Sequence, residues 1–478
     1  MVPIMLATYG KSPGYAFKLS LLAATLGWLC SIWWVIDGLS KISNAPINVV
    51  LPVVFLFCVL AALPYALAFW LQAKLRLKAS IYGAVLSALI FTCLINYIPH
   101  VLPGNLAHAL YLQTNQIQLA SIGGVALVFF VIHLVNVCLA YGLINLKQAP
   151  IISVRLMVLA ACLFASNLYF GTQKTSDSLD TDEIINNEIK IAMIQPNISV
   201  ENRTRDDWLV QAEHLVPLIQ HVANQPDVNL IVMPEIPVPL SFQHFDEDKK
   251  MIKQALGSVP LMLTSIEPVG NEISENNGYF NTVELITGGQ LQLTYYKQVL
   301  LPFGEYLPFE QYFPWLRNLF PNMPNYLTKQ TSSSLPLSLE NRDVNLVPLI
   351  CYEAVFSDHL RDALASSGDV LINTSNDGWF SALAGNRTHL ALALFRTIEF
   401  NKPMVRSTNT GISVVIDNKG RIIEESRIPS ETLGFSFTSV PYNNQKSFYQ
   451  KFGAFLPYLF IFITILLGFR QYRRTISN

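Results

Sequence analysis

The sequence predicts two joined parts: a membrane α-helical bundle of about six spans, and an exported α/β sandwich carried between the fifth span and the sixth. Three observations predict it. The chain has 478 residues, of which 51% are hydrophobic and 14% charged, against about 25% charged in an ordinary soluble domain. The deficit is local, because residues 1–171 hold eight Lys/Arg and one acid (Asp37), whereas residues 172–452 hold 53 of the 65 charges. Within the charged part, short β-branched runs alternate with helical patterns. A wholly soluble enzyme and a pure channel or transporter are both excluded. A net charge of −1 gives no electrostatic support for nucleic-acid binding.

A helix crossing the roughly 30 Å hydrocarbon core needs about 20 mostly apolar residues. Such stretches lie at 19–36, 49–71, 79–97, 120–144, 151–171 and 454–469. Arg155 interrupts the fifth near an interface, and the sixth is short and contains Pro457. No small-residue cleavage site follows 19–36, so it reads as a span and not as a signal peptide. The expected division is a helical bundle over 1–171, a polar linker over 172–188, an α/β domain over 189–445 and a last helix over 453–471.

The positive-inside bias sets the orientation. Lys74, Arg76 and Lys78 follow the second span, Lys147 and Arg155 flank the join of the fourth and fifth, and Arg470, Arg473 and Arg474 follow the sixth. The loop 98–119 has no Lys or Arg. Both termini are therefore expected in the cytoplasm and the polar domain on the far side of the membrane.

In the polar part, 190–194, 228–233, 291–296, 344–350 and 370–373 read as strands, and Trp208 to about Val222 as an amphipathic helix. Ser413–Ile416, Asp417-Asn-Lys-Gly420 and Arg421–Ile423 form a hairpin signal. Five of the six cysteines lie in apolar spans and only Cys351 lies outside them. A lone thiol in an oxidising compartment is either accidental or a nucleophile. The scattered histidines show no zinc spacing, and no metal or other cofactor is expected.

Three apolar strands run directly into a reactive residue: Met233-Pro-Glu235, Tyr295-Tyr-Lys297 and Leu349-Ile-Cys351. A thiol needs a base or cation to become a thiolate. A carboxylate can take its proton and return it to a leaving group, and an ammonium can hold the developing oxyanion. Glu235, Lys297 and Cys351 thus make a complete acyl-transfer set without histidine.

Cys351-Tyr-Glu353 and Pro302-Phe-Gly-Glu305 resemble the nitrilase, or carbon–nitrogen hydrolase, superfamily. With Thr374-Ser-Asn-Asp-Gly-Trp-Phe380, His389 and Arg406-Ser-Thr-Asn-Thr-Gly411, the chain is similar to the apolipoprotein N-acyltransferase family over about 190–440. The resemblance implies an αββα nitrilase-like sandwich and a two-step reaction. Cys351 would attack a phospholipid ester to form a thioester acyl-enzyme. The N-terminal amine of a diacylglyceryl-modified apolipoprotein would then take the chain. By the same resemblance Glu235 is the base and acid, and Lys297 stabilises the oxyanion. Glu305 supports both, Tyr352 and Glu353 shape the nucleophile's surroundings, and Trp379 and Phe380 lie on a lid over the acyl pocket. For Trp379 and Phe380 ordinary core packing is the competing reading, and Arg406 and His389 read as structural.

Both substrates are membrane lipids or lipid-anchored, which suits a tethered domain, since each buried methylene is worth about 0.8 kcal/mol. Two departures from the family stand out. Two further spans would ordinarily precede the first, and Thr204 stands where a tryptophan is usual, with Trp208 beyond it. The alternatives are a membrane-tethered amidase with the same catalytic set, or an inactive lipoprotein-binding paralogue.

Overall fold

The computed structural model describes all residues except 44, 177–186, 199–214, 237–245, 270–277, 321–322, 340–341, 366, 381–382 and 477–478. Most of the expected linker, and Thr204 and Trp208, lie outside the described residues. The chain divides into two compact units, one formed by Met1–Trp33, Leu51–Asp177 and Lys446–Asn478, the other by Trp34–Val50 and Ser178–Gln445.

The first unit is helical. Pro13–Ile32, Ile47–Lys74, Ala120–Asn145, Pro150–Ser176 and the run Phe448–Ile476 are long and apolar enough to cross a membrane. Two expected spans differ. The stretch 79–97 forms only the 16-residue helix Ile81–Asn96, about 24 Å long at 1.5 Å per residue. Ser80 caps its start by accepting the Gly83 N–H at 3.2 Å, and Pro99 disfavours helical backbone just beyond its end. The stretch 19–36 is displaced: Ser12 and Pro13 start the helix early as N-cap and first-turn residues do, and it ends at Ile32. A separate amphipathic helix, Val35–Ser43, follows and belongs to the other unit. Ala120–Asn145 is broken at Gly123 and Gly124, the latter at φ +65°, a conformation glycine adopts without penalty.

The second unit is an α/β sandwich of two sheets. One runs in the order β13 (Gly434–Pro441), β1 (Glu188–Gln195), β2 (Leu230–Val232), β3 (Leu261–Pro268), β4 (Tyr279–Thr287), β5 (Gln290–Tyr296), with β6 (Tyr326–Leu327) beside β4. The other is β12 (Ile422–Ile428), β11 (Ser413–Ile416), β10 (Met404–Thr408), β9 (Val370–Ser375), β8 (Arg342–Ile350), β7 (Leu335–Leu339). The facing sides share one core, in which Ile191, Met193 and Val232 of the first sheet meet Leu346, Val370 and Val405 of the second. The outer face of the first sheet is covered by the helical residues 215–223 and by Asp246–Leu256.

Every strand expected from β-branched runs is present. Those not expected are β3, β4, β6, β7, β10 and β13; β13, with Gly434-Phe-Ser-Phe-Thr-Ser439, takes its shape from pairing. β13 pairs antiparallel with β1 from Glu188 opposite Pro441 to Gln195 opposite Gly434.

Directions matter for the site. β1, β2 and β3 are parallel, β4 reverses and β5 reverses again, so β2 and β5 end at the same edge. β8, β9 and β10 are likewise parallel.

Candidate active site

Glu235 follows β2, Lys297 follows β5 and Cys351 follows β8, so each side chain leaves its sheet at a C-terminal strand edge. The structure brings the first two into contact: Lys297 Nζ lies 3.2 Å from Glu235 Oε1 and 2.5 Å from Glu305 Oε1. Lys297 is 1% exposed and Glu235 7%, so these charges face each other in a site of low dielectric. Burial alone would pull the Lys297 pKa down, but the carboxylates of Glu235 and Glu305 outweigh it and hold the pKa well above the ordinary lysine range. Burial raises the pKa of Glu305 despite the ammonium beside it, and the Glu235 charge adds to the rise.

Glu235 is fixed by two further donors: Asn281 Nδ2 at 2.8 Å on Oε1 and the Asn376 backbone N–H at 2.9 Å on Oε2. Glu305 Oε2 accepts the Leu301 N–H at 2.8 Å. Lys297 and Glu235 are thus anchored from both sheets.

Cys351 is half-buried at the head of a short turn, Cys351–Val355, with φ +51°. A non-glycine residue in this region stores backbone strain, which turns the thiol out of the line of β8. Burial pushes the thiol pKa up and the Glu235 charge adds to this, while the Lys297 ammonium opposes it. The ground state is therefore the thiol, with its cation and carboxylate already in the site.

Glu353 is completely buried and acts as a knot between sheets. Its Oε1 accepts from Tyr295 Oη at 3.0 Å, Gln298 N at 2.6 Å and Val299 N at 3.2 Å, and its Oε2 accepts the Ile350 N–H at 2.7 Å. It ties the end of β5 to the end of β8. Tyr352 is buried, edge-to-face with Phe356 at 4.7 Å.

The sequence reading gave no role to Ser375 and Asp377. Pairing of Ile350 with Thr374 puts Cys351 beside Ser375, whose Oγ lies 3.4 Å from Sγ and 2.7 Å from Asp377 Oδ1. Pairing of Asn373 with Arg406 brings the guanidinium to Asp377, with Nη2 at 2.7 Å from Oδ2. His389 Nδ1 lies 2.9 Å from Asp377 Oδ1, and its Nε2 3.3 Å from the Cys351 carbonyl oxygen. Burial would raise the Asp377 pKa, but Arg406 and His389 drive it far below the carboxylate range. Arg406, read as structural, is the counter-charge of this cluster, and His389, read likewise, props it through its ring-nitrogen contacts.

Trp379 and Phe380 follow β9, through the turn Asp377–Trp379, and both are partly exposed. Phe380 is wedged between Trp34 (rings 4.8 Å apart, edge-to-face) and His389 (5.9 Å). Trp34 is 4% exposed. A Cβ at Gly38 would lie 2.7 Å from the Trp379 carbonyl oxygen, so the helix Val35–Ser43 approaches this turn at backbone distance. Among the described residues no group of three His, Cys, Asp or Glu is placed to hold a metal ion.

Residues 1–138 match the apolipoprotein N-acyltransferase N-terminal domain. Similar proteins include apolipoprotein N-acyltransferases of Nitrosomonas europaea (29% identical over 59% of this chain and 54% of that one), Sinorhizobium fredii (29%, 84% and 77%) and Vibrio parahaemolyticus (25%, 95% and 87%). The match thus spans only about half the length of the first. Among solved structures, Saccharomyces cerevisiae Nit3, of the nitrilase superfamily, aligns at 16% identity and TM-score 0.40 over 53% of this chain and 90% of its own. Residues 190–444 match the carbon–nitrogen hydrolase model, more than half of the chain, and the protein belongs to the carbon–nitrogen hydrolase family.

Proposed function

We propose that the protein is a membrane-embedded acyltransferase that moves an acyl chain from a phospholipid, through a Cys351 thioester, to the N-terminal amine of a diacylglyceryl-modified apolipoprotein. The observation that carries this reading is the buried Lys297–Glu235 pair, 3.2 Å apart, joined by the Asn376 N–H on Glu235 to the strand end where Ser375 Oγ lies 3.4 Å from Cys351 Sγ. The names of its relatives supply the substrate class.

In the first half-reaction Glu235 takes the Sγ proton as sulfur attacks the ester carbonyl. The Lys297 ammonium neutralises the tetrahedral oxyanion. The C–O bond breaks, and the lysophospholipid alkoxide leaves with the proton from Glu235. In the second, the acceptor amine attacks the thioester carbonyl and passes a proton to Glu235. The C–S bond then breaks and the thiolate regains that proton. Glu305 keeps Lys297 charged and in place, and Glu353 and Tyr352 hold the nucleophile's turn. Trp379 and Phe380 shield the acyl chain. The sandwich faces the periplasm and both termini the cytoplasm.

Incubation of the purified protein with a phospholipid carrying a labelled acyl chain is expected to leave label on Cys351, released by an amine-bearing lipopeptide. Cys351→Ala carries none. A wild-type protein that takes up no label yet hydrolyses small amides overturns the reading in favour of an amidase.

A further inference from the structure

The helical unit contains a polar cavity that takes no part in the acyl-transfer site. Its volume is about 820 Å³, within the range of ordinary ligand sites. Lys11, Lys74, Arg76 and Lys78 line it, and none of its lining residues is acidic. None of the four cations forms an ion pair among the described residues. The unit has no local supply of counter-charge, because its sequence contains thirteen Lys/Arg and a single acid, Asp177. Ser12 and Pro13, at the start of the 20-residue helix Pro13–Ile32, also border the cavity. That end carries the positive pole of the helix.

Topology alone accounts for positive loops, but not for four like charges converging on one hollow. Bringing them together is unfavourable unless an anion joins them. The remaining lining is mixed: Met5, Phe69, Leu77 and Val137 are apolar, while Thr8, Gln72, Ser87 and Thr475 offer polar groups. Four cations together with apolar and hydrogen-bonding side chains around one hollow suit an amphiphile with an anionic head. We propose that this cavity binds the phosphate group of an anion, with the headgroup of an anionic phospholipid as the occupant that this combination of cations and apolar side chains favours. Basic pockets between membrane helices are a recurrent form of lipid recognition.

The test uses the full chain purified in a neutral detergent, with thermal unfolding as the readout. Three probes are compared: short-chain phosphatidylglycerol, short-chain phosphatidylcholine and inorganic phosphate. Phosphatidylglycerol is expected to raise the melting temperature saturably, with phosphatidylcholine weaker. Lys74→Gln/Arg76→Gln is expected to weaken phosphatidylglycerol at least about tenfold, at roughly fivefold per cation. Lys147→Gln/Arg155→Gln, which removes two cations outside the cavity, keeps the response. Inorganic phosphate acting as strongly as the lipid would keep the phosphate site but replace the lipid by a soluble phosphate. No response to either anion, or equal responses from the two double variants, overturns the proposal.

Discussion

At the residue scale, the site is a balance of buried charges. Glu235 and Glu305 share one ammonium, so removing that cation leaves two carboxylates facing each other. Lys297→Met is expected to abolish labelling of Cys351 while the protein still inserts in membranes, measured by the same acyl-transfer assay. The raised thiol pKa sets the sign of a second prediction. Alkylation of Cys351 by iodoacetamide, followed on its own peptide by mass spectrometry, should keep rising through about pH 9, where a free thiol of pKa about 8.5 is already mostly ionised. Burial first, then Glu235 and Asp377, push that thiol up, and Lys297 and the Ser375 hydroxyl push it down. Ser375→Ala is therefore expected to move the profile to still higher pH, and Ser375→Thr, which keeps the hydroxyl, to restore it. Asp377 governs stability. Its folded pKa lies below the unfolded value, so its contribution is complete above an ordinary carboxylate pKa of about 3.9 and fades as the pH falls further. Asp377→Asn leaves Arg406 buried without its partner and should cost about 3–5 kcal/mol in unfolding measurements.

At the scale of elements, the short helix Val35–Ser43 is the unexpected part. Hydropathy merged its first residues with the preceding span, because Trp33, Trp34, Val35 and Ile36 are all apolar. What separates them is tertiary: Trp34 buries its ring against Phe380, hundreds of residues away in sequence. Gly38→Ala places a methyl group against the Trp379 carbonyl oxygen and should reduce acyl transfer while the far-ultraviolet circular dichroism stays unchanged. Trp34→Ala removes a buried aromatic ring and is expected to destabilise this unit by about 3–5 kcal/mol. The same distinction explains which parts of the site were legible. Glu235, Lys297 and Cys351 each end an apolar run and could be read directly. Asp377 could not, since its partner Arg406 reaches it only through the β9–β10 register, which no local pattern displays. β13 was hidden for a related reason: its alternating residues are ordered by the partner strand β1.

At the scale of the molecule, the two units differ in charge as sharply as in secondary structure. Of the chain's 33 acidic residues, all but Asp177 fall in the stretches forming the sandwich unit. This partition underlies the proposed topology. A cysteine placed at the exposed Glu431 should react with a membrane-impermeant maleimide in spheroplasts, and one placed at Lys147 should react only after lysis; the reverse pattern would invert the orientation. The pairing of β1 with β13 bears on how such a chain is built. Glu188 stands opposite Pro441, so the polypeptide leaves the sandwich within about 5 Å of where it came in. Strands β1 and β13 thus bring the first and last residues of the two sheets together as the two arms of a hairpin do. Residues 188–441 could not be exchanged alone, however, because Trp34–Val50 belongs to the same unit and would have to travel with them.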